Sequence, residues 1–487
     1  MLTFRSKPIA SRMCDGLSRR EFLRVGALGL GGLTLADLLR LRAQGKPPVR
    51  SKSVIMVYLE GGPSHIEMYD LKPDAPAGFR GEFKPIQTNV PGFDICEHMP
   101  LQARIADTMA LIRSMRFEGF HGHHAPEVLT GFVHSITANA QERANFKKPA
   151  IGSVVSWLRR GRVEARPAYV ALDNYSYPGF LGKAHQPFVP GKNESPLNVT
   201  ADVSSQRLRG RQNLLNSLNG VQRALDSNRG AIAGWDAFSK QALKMVTTSQ
   251  AREAFDINLE PKKVRARYGR GKDLLLARRL VEAGVPLVQV TFRASTLLDD
   301  GCTEKHFIEG GWDSHYYNFK LLRQVLPRYD QAIYALVTDL CERGLDRHVA
   351  VVVWGEMGRM SKIGPDGLTE PGAESGRSHW TQAGFALVMG GGLKMGQVIG
   401  ATEPLARYPT TPPYTPQNVL ATLYHVLGID PETTMIRDLE GRPMHLLDDR
   451  KPVKESPVAR VADVLNEFRV ARPFALTPSV IILSLPW

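Results

Sequence analysis

Six short apolar runs set the limits on what this chain can fold into. They cover residues 53–59, 109–115, 169–172, 285–292, 349–354 and 384–389, and most lack the polar alternation of a strand with one wet face. A strand covered by helices on both sides has that character, because neither of its faces meets water. Between the runs lie stretches of helical character at about 151–160, 206–226, 273–283, 316–343 and 416–427. Strands alternating with helices predict an α/β fold on a doubly wound, largely parallel sheet. The stretch 206–268 is polar and charged with no evident strand, so a helical insertion is expected at about 200–270. With 487 residues the chain is long enough for one large α/β domain. We place that domain at 53–450, after a linker at 46–52 that contains Pro47-Pro48. The segment 451–487 follows it, and its apolar end reads as a docked edge segment.

The N-terminal 45 residues have a different character. Ser18-Arg19-Arg20-Glu21-Phe22-Leu23 is followed by the uncharged Gly/Leu/Ala-rich run 25–36. Twelve helical residues span about 18 Å, short of the roughly 30 Å hydrocarbon core, so the run is no transmembrane span. A basic region before a short apolar one describes an export signal, and this one resembles the twin-arginine signal. The resemblance implies the twin-arginine translocase as a partner and a periplasmic or cell-surface location. Leu41-Arg42-Ala43 is a weak cleavage site, which leaves both removal and retention as an anchor open. Residues 1–45 hold eight Lys/Arg against three Asp/Glu, so they contribute +5 of the net +14. The remaining +9 suits an anionic ligand and does not indicate nucleic acid. The four cysteines have no zinc-ribbon spacing.

In sheets of this kind, ligands gather beyond the carboxyl ends of the strands. The residues that follow each apolar run are therefore the candidates. After the first run come Glu60-Gly61-Gly62-Pro63-Ser64-His65, and after the second His121-Gly122-His123-His124. Farther along are Gly311-Trp312-Asp313-Ser314-His315, Gly355-Glu356-Met357-Gly358-Arg359 and Gly376-Arg377-Ser378-His379. Carboxylates and imidazoles spread over several strand ends suit a hard or borderline divalent metal: Zn, Mn, Ca or Mg. No G-x-G-x-x-G follows the first run, so no dinucleotide fingerprint is present.

These motifs carry a family resemblance. Gly61-Gly62-Pro63-Ser64, Tyr69-Asp70-Leu71-Lys72-Pro73, His124 with Leu129-Thr130-Gly131 and Gly311-Trp312-Asp313-Ser314-His315 are among its carriers. So are Gly355-Glu356-Met357-Gly358-Arg359, Gly376-Arg377-Ser378-His379-Trp380, Gly390-Gly391-Gly392 and Gly400-Ala401-Thr402. From about Ser53 to Leu447 the chain resembles the domain of unknown function 1501 family, of the alkaline-phosphatase-like superfamily. The resemblance implies that fold, and hydrolysis of phosphate or sulfate esters with one or two metals. It makes Asp313, His315 and His379 one metal position. Glu356 stands where the superfamily usually has Asp-His, with Met357 in place of the histidine, and Glu60 takes the position of the first-strand aspartate. The sulfatase signature C/S-x-P-x-R is absent, so the nucleophile falls to Ser64 or to water.

The expectation is thus an exported metal-dependent hydrolase of phosphate or sulfate esters. Its metal ligands are expected to be Asp313, His315, His379, Glu356 and Glu60. His124 is the expected general acid or base, and Arg359 or Arg377 the expected partner of the anionic substrate, a small molecule or a glycan. The alternative is a non-catalytic protein of the same fold that binds anionic glycan or a surface partner.

Overall fold

The apolar runs pair with one another. In the computed structural model they form a seven-stranded sheet; the structure describes residues 52–119, 123, 125–133, 146–159, 167–172, 175–190, 249–298, 302, 311–364 and 376–456. The strands are β1 (Ser53–Tyr58), β2 (Met109–Met115), β3 (Tyr169–Ala171), β4 (Leu287–Thr291), β5 (Val349–Trp354), β6 (Gly384–Gly390) and β7 (Gln397–Ile399). Their order across the sheet is β7-β2-β6-β5-β1-β4-β3. Strands β1 to β6 arise from the six apolar runs. β7 is only three residues long with two half-buried, too little apolar signal to be predicted from sequence.

β1 runs parallel to β4 and β5, β3 parallel to β4, and β7 parallel to β2. β6 alone is reversed, lying antiparallel between β2 and β5. The reversal has a consequence for chemistry. The chain entering β6 reaches the same sheet edge as the chain leaving the other six strands, so residues before β6 can meet residues after β1, β2, β4 and β5.

Besides the single turns Ala77–Arg80 and Pro100–Ala103, the α-helices of the described residues are α1 (His65–Met68), α2 (Ala125–Thr130), α3 (Ile151–Leu158), α4 (Ser249–Phe255), α5 (Lys262–Tyr268), α6 (Lys272–Glu282), α7 (Asn318–Glu342) and α8 (Pro416–Val426). Two hydrophobic cores lie on the two faces of the sheet. Ile55 and Val57 of β1 point into one with α6 and α7, while Val54, Met56 and Tyr58 point into the other with α2, α3 and α8. Covered on both faces, β1 and β5 are buried at every residue, which explains their unbroken apolar character. α8 begins where Thr415 and Asn418 form a reciprocal capping box and Pro416 occupies the first turn. No described helix is long and apolar enough to cross a membrane. Of the predicted helical insertion, α4 and α5 are seen, and 191–248 lies outside the described residues. The twin-arginine segment and the apolar C-terminal end also lie outside them. Cys96, Cys302 and Cys341 are free thiols.

Asp330 of α7 braces the chain before β2 by accepting the backbone N–H groups of Leu101 and Gln102, each at 2.8 Å. Burial pushes its carboxyl up to about 6 despite those donors. A carboxyl raised on folding contributes most below its unfolded value and loses that contribution as pH rises through the folded one. Relative to the neutral Asp330→Asn variant, the wild-type chain is expected to lose about 2–3 kcal/mol of unfolding free energy between about pH 4 and 6. Urea midpoints across that range measure it, and parallel curves for the two proteins would contradict the assignment.

Candidate metal centre

The centre forms because backbone from three loops approaches too closely for side chains to intervene. After β1 the chain turns at Gly61 with φ +115°, where a Cβ would stand 2.6 Å from the Asp313 nitrogen and 2.7 Å from that of Trp312. Only glycine lets this turn lie flat on the 312–313 segment. The Trp312 N–H donates to the Glu60 carbonyl at 2.9 Å, and its indole N–H donates to the Phe292 carbonyl beyond β4 at 2.7 Å. Asp313 and His315 are thereby fixed between the ends of β1 and β4. Tyr317, left-handed at φ 52°, then turns the chain into α7. The segment before β6 closes over this loop. The Arg377 N–H donates to the Ser314 carbonyl at 3.1 Å, and a Cβ on Gly376 would overlap the carbonyl oxygens of Ser314 and His315. Gly358–Arg359 and His379–Trp380 pair as a short antiparallel ribbon, which carries His379 onto His315.

The side chains then converge on Asp313. Its Oδ1 lies 3.0 Å from His315 Nε2 and 3.3 Å from His379 Nε2, while those two nitrogens are 3.0 Å apart. Its Oδ2 lies 3.1 Å from His123 Nε2. The other ring nitrogen of His123, Nδ1, is 2.7 Å from Glu356 Oε1. Glu356 is fully buried after β5 and also accepts the Gly61 N–H at 3.0 Å. Its approach to His123 runs through this second nitrogen, away from Asp313.

Charge follows from this packing. Burial opposes the charge on Asp313, but Arg359 and hydrogen bonds from His123, His315 and His379 outweigh it and hold the carboxyl far below its ordinary range. Burial likewise opposes a charged His123, and the carboxylates of Asp313 and Glu356 overcome it, raising the imidazole to about 9. For Glu356 burial works against ionisation, and His123 and the Gly61 N–H prevail in lowering it.

The donor set fits a cation. A tetrahedral ion with bonds of about 2.0–2.1 Å spaces its ligands by about 3.3 Å, close to the separations among His315 Nε2, His379 Nε2 and Asp313 Oδ1. His123, Asp313 and His379 also each offer a donor atom within 4.8 Å of one another. Nitrogen and oxygen donors without a thiolate suit Zn, Mn, Mg or Ca.

Several residues stand elsewhere than the sequence reading put them. Ser64 is buried with its hydroxyl donating to Glu67, so it is no exposed nucleophile. Arg377 is buried, paired with Glu67 and donating to the carbonyls of Met360, Ser361 and Phe79. Arg359 is buried too, donating to the carbonyls of Gly61, Gly62 and Arg377 and to Asp313 Oδ1 at 2.5 Å. Neither guanidinium is open to a substrate; both brace the loops. Glu60 is held by Tyr175 and Arg293 rather than by the Asp313 group. His121 and His124 lie outside the described residues, and His123, between them, is the one seen in the centre. Tyr175 and Arg293 carry no sequence signal of their own, since each follows a strand without a motif.

The family described as "Protein of unknown function (DUF1501)" matches residues 51–456. The chain belongs to that family. No curated protein matches the DUF1501 chain by sequence. Among solved structures it is similar to the PsFucS1 sulfatase from Pseudoalteromonas sp., at 10% identity and TM-score 0.35 over 85% of this chain and 72% of that one. It is also similar to the phosphonate monoester hydrolase SpPMH from Silicibacter pomeroyi, at 11% identity and TM-score 0.33 over 77% and 73%. A third is a mutant of the TAB5 alkaline phosphatase with Mg bound in its M3 site, at 11% identity and TM-score 0.32 over 78% and 99%.

The Gly61 contact generates a prediction. Gly61→Ala should leave far-ultraviolet circular dichroism unchanged and weaken metal affinity by about 10- to 100-fold, the range for displaced supports of ligands. Calorimetric titration with Zn²⁺ and Mn²⁺ measures it. Wild-type affinity in the variant would show that the turn does not set the position of Asp313.

Proposed function

We propose that this DUF1501 chain is an exported metal-dependent hydrolase of phosphate or sulfate esters. The observation that carries the reading is the meeting of His315 and His379 Nε2 on one Asp313 oxygen, at 3.0 and 3.3 Å. Asp313, His315 and His379 would hold a divalent cation, with His123 beside them. When bound, such a cation supplies a Lewis acid for the ester oxygen and for water. Glu60, engaged elsewhere, is not among its ligands, so the reading has one metal position.

The chain's own residues supply the rest. Arg359 fixes the rotamer of Asp313 through Oδ1 and keeps the carboxylate ionised. Glu356 takes the Nδ1–H of His123, which directs Nε2 toward Asp313 and the reacting region. His123 therefore takes the acid–base role that the sequence reading gave to His124, accepting or returning a proton at Nε2. With Ser64 buried, water is the attacking group. Export by the twin-arginine translocase, read from Arg19-Arg20 and the apolar run behind them, completes the proposal.

The non-catalytic reading draws on the same engagement of Glu60, which among the described residues leaves no second cation position of the superfamily kind. The two separate experimentally. Elemental analysis of protein from its native compartment is expected to find a divalent metal, and a panel of phosphate and sulfate esters to find turnover. Asp313→Ala and His379→Ala should lose both together, and unchanged metal and turnover would overturn the assignment. His123→Gln is expected to lower turnover by about 10²- to 10⁴-fold. Metal without turnover, together with glycan binding, would favour the non-catalytic reading.

A further inference from the structure

The chain that leaves β2 toward His123 is pinned residue by residue. The Arg116 N–H donates to the Tyr414 carbonyl and the Phe117 N–H to the Thr381 carbonyl, each at 2.8 Å. Thr381 follows His379 by two residues, so the exit of β2 is tied to the segment that brings His379 to the centre. The next two N–H groups go to a single side chain. Glu118 donates to Glu127 Oε1 at 2.7 Å, and Gly119 to Glu127 Oε2 at 2.9 Å.

Glu127 stands at the far end of the same loop, in the first turn of α2. Every residue of α2 is buried, and Val128 and Leu129 share a core with Val419, Leu420 and Leu423 of α8. One carboxylate on a packed helix thus clasps both ends of the segment 118–127. His123 lies inside that segment, with Nδ1 2.7 Å from Glu356 Oε1 and Nε2 3.1 Å from Asp313 Oδ2. The clasp is costly. Glu127 is 2% exposed, and burial, with the Glu118 charge adding to it, pushes its carboxyl up to about 7 against the two N–H donors. A neutral side chain of similar size would avoid that cost. A carboxylate, however, offers two acceptor oxygens to two successive N–H groups, where an amide of the same shape offers one.

We infer that Glu127 is a positioning residue for His123: by holding both ends of the loop on α2 it aims the imidazole between Glu356 and Asp313. For the acid–base role of His123 the inference rests on the ester-hydrolase reading. The aim of the ring is open to test without turnover.

The test uses the full chain with ¹⁵N-labelled histidine, supplied with Zn²⁺, and compares wild type with Glu127→Ala and Glu127→Gln. Ring signals are assigned by their loss in His123→Gln, His315→Gln and His379→Gln. In wild type both nitrogens of His123 should carry the shifts of hydrogen-bonded groups. In Glu127→Ala they should move to those of a solvated imidazole, while the signals of His315 and His379 and the metal content stay as in wild type. Glu127→Gln, which keeps one of the two acceptor oxygens, should fall between, and it decides alone if the alanine variant does not fold. On any ester that wild type turns over, Glu127→Ala should lower kcat by about 10- to 100-fold, the scale of a misplaced group. It should add little in a His123→Gln background, since the two act as one unit. His123 signals that match wild type in each variant that folds overturn the inference. So do signals that change together with those of His315 and His379, the mark of a general support of the fold. A His123 signature that depends on Glu127, in a chain that turns over no ester, would support it while overturning the hydrolase reading.

Discussion

A single buried guanidinium holds the three loops of the centre together. Arg359 donates to the carbonyls of Gly61 and Gly62 after β1, to that of Arg377 before β6, and to the Asp313 carboxylate. A charge taken out of water on this scale is tolerable only when every direction it faces offers an acceptor. Arg359 is given carbonyl oxygens from two segments and a carboxylate from a third. The same contacts that stabilise the arginine fix where those segments stop. Removing it would leave Asp313 as a half-buried anion with only imidazoles beside it and free the turns that carry it, so position and charge at the centre have one origin.

That arrangement depends on strand direction. Were β6 parallel like its neighbours, Arg377 and His379 would leave from the opposite edge of the sheet, remote from Asp313. Reversing one strand inside a parallel sheet costs little, because antiparallel ladders are at least as stable per residue. It brings a fifth chain segment to the edge where β1, β2, β4 and β5 already deliver theirs. Glycine then decides how tightly the segments close. Gly61 and Gly376, like Gly311 and Gly358, occupy places where backbone meets backbone without room for a Cβ.

This division explains what could be read in advance. Apolar runs without alternation identify six strands because burial on both faces is a property of each run alone. The glycine-flanked motifs around Asp313, His315, Glu356 and His379 mark strand ends, and strand ends are where a sheet of this class collects ligands. What sequence could not convey was the use of each charged group. Arg359 and Arg377 look like substrate ligands in a motif, yet both are buried and fully engaged with carbonyls and carboxylates. Ser64 follows a glycine turn, a position that suits a nucleophile, but its hydroxyl is turned to Glu67. That His123 of the His-x-His-His run meets Asp313 and Glu356 is set by the path of a loop across the sheet edge, and that depends on residues distant in the chain.

The charges left at the centre follow a simple balance. Asp313, half-buried, and Glu356, fully buried, bring two negative charges together, and Arg359 offsets one. A protonated His123, lying between the two carboxylates, offsets the other, which is why both neighbours drive its imidazole toward the charged form. A divalent cation held by Asp313, His315 and His379 would supply that positive charge from another source, and His123 could then release its proton at Nε2. A cation bound there and a proton on His123 would thus compete for one electrostatic vacancy.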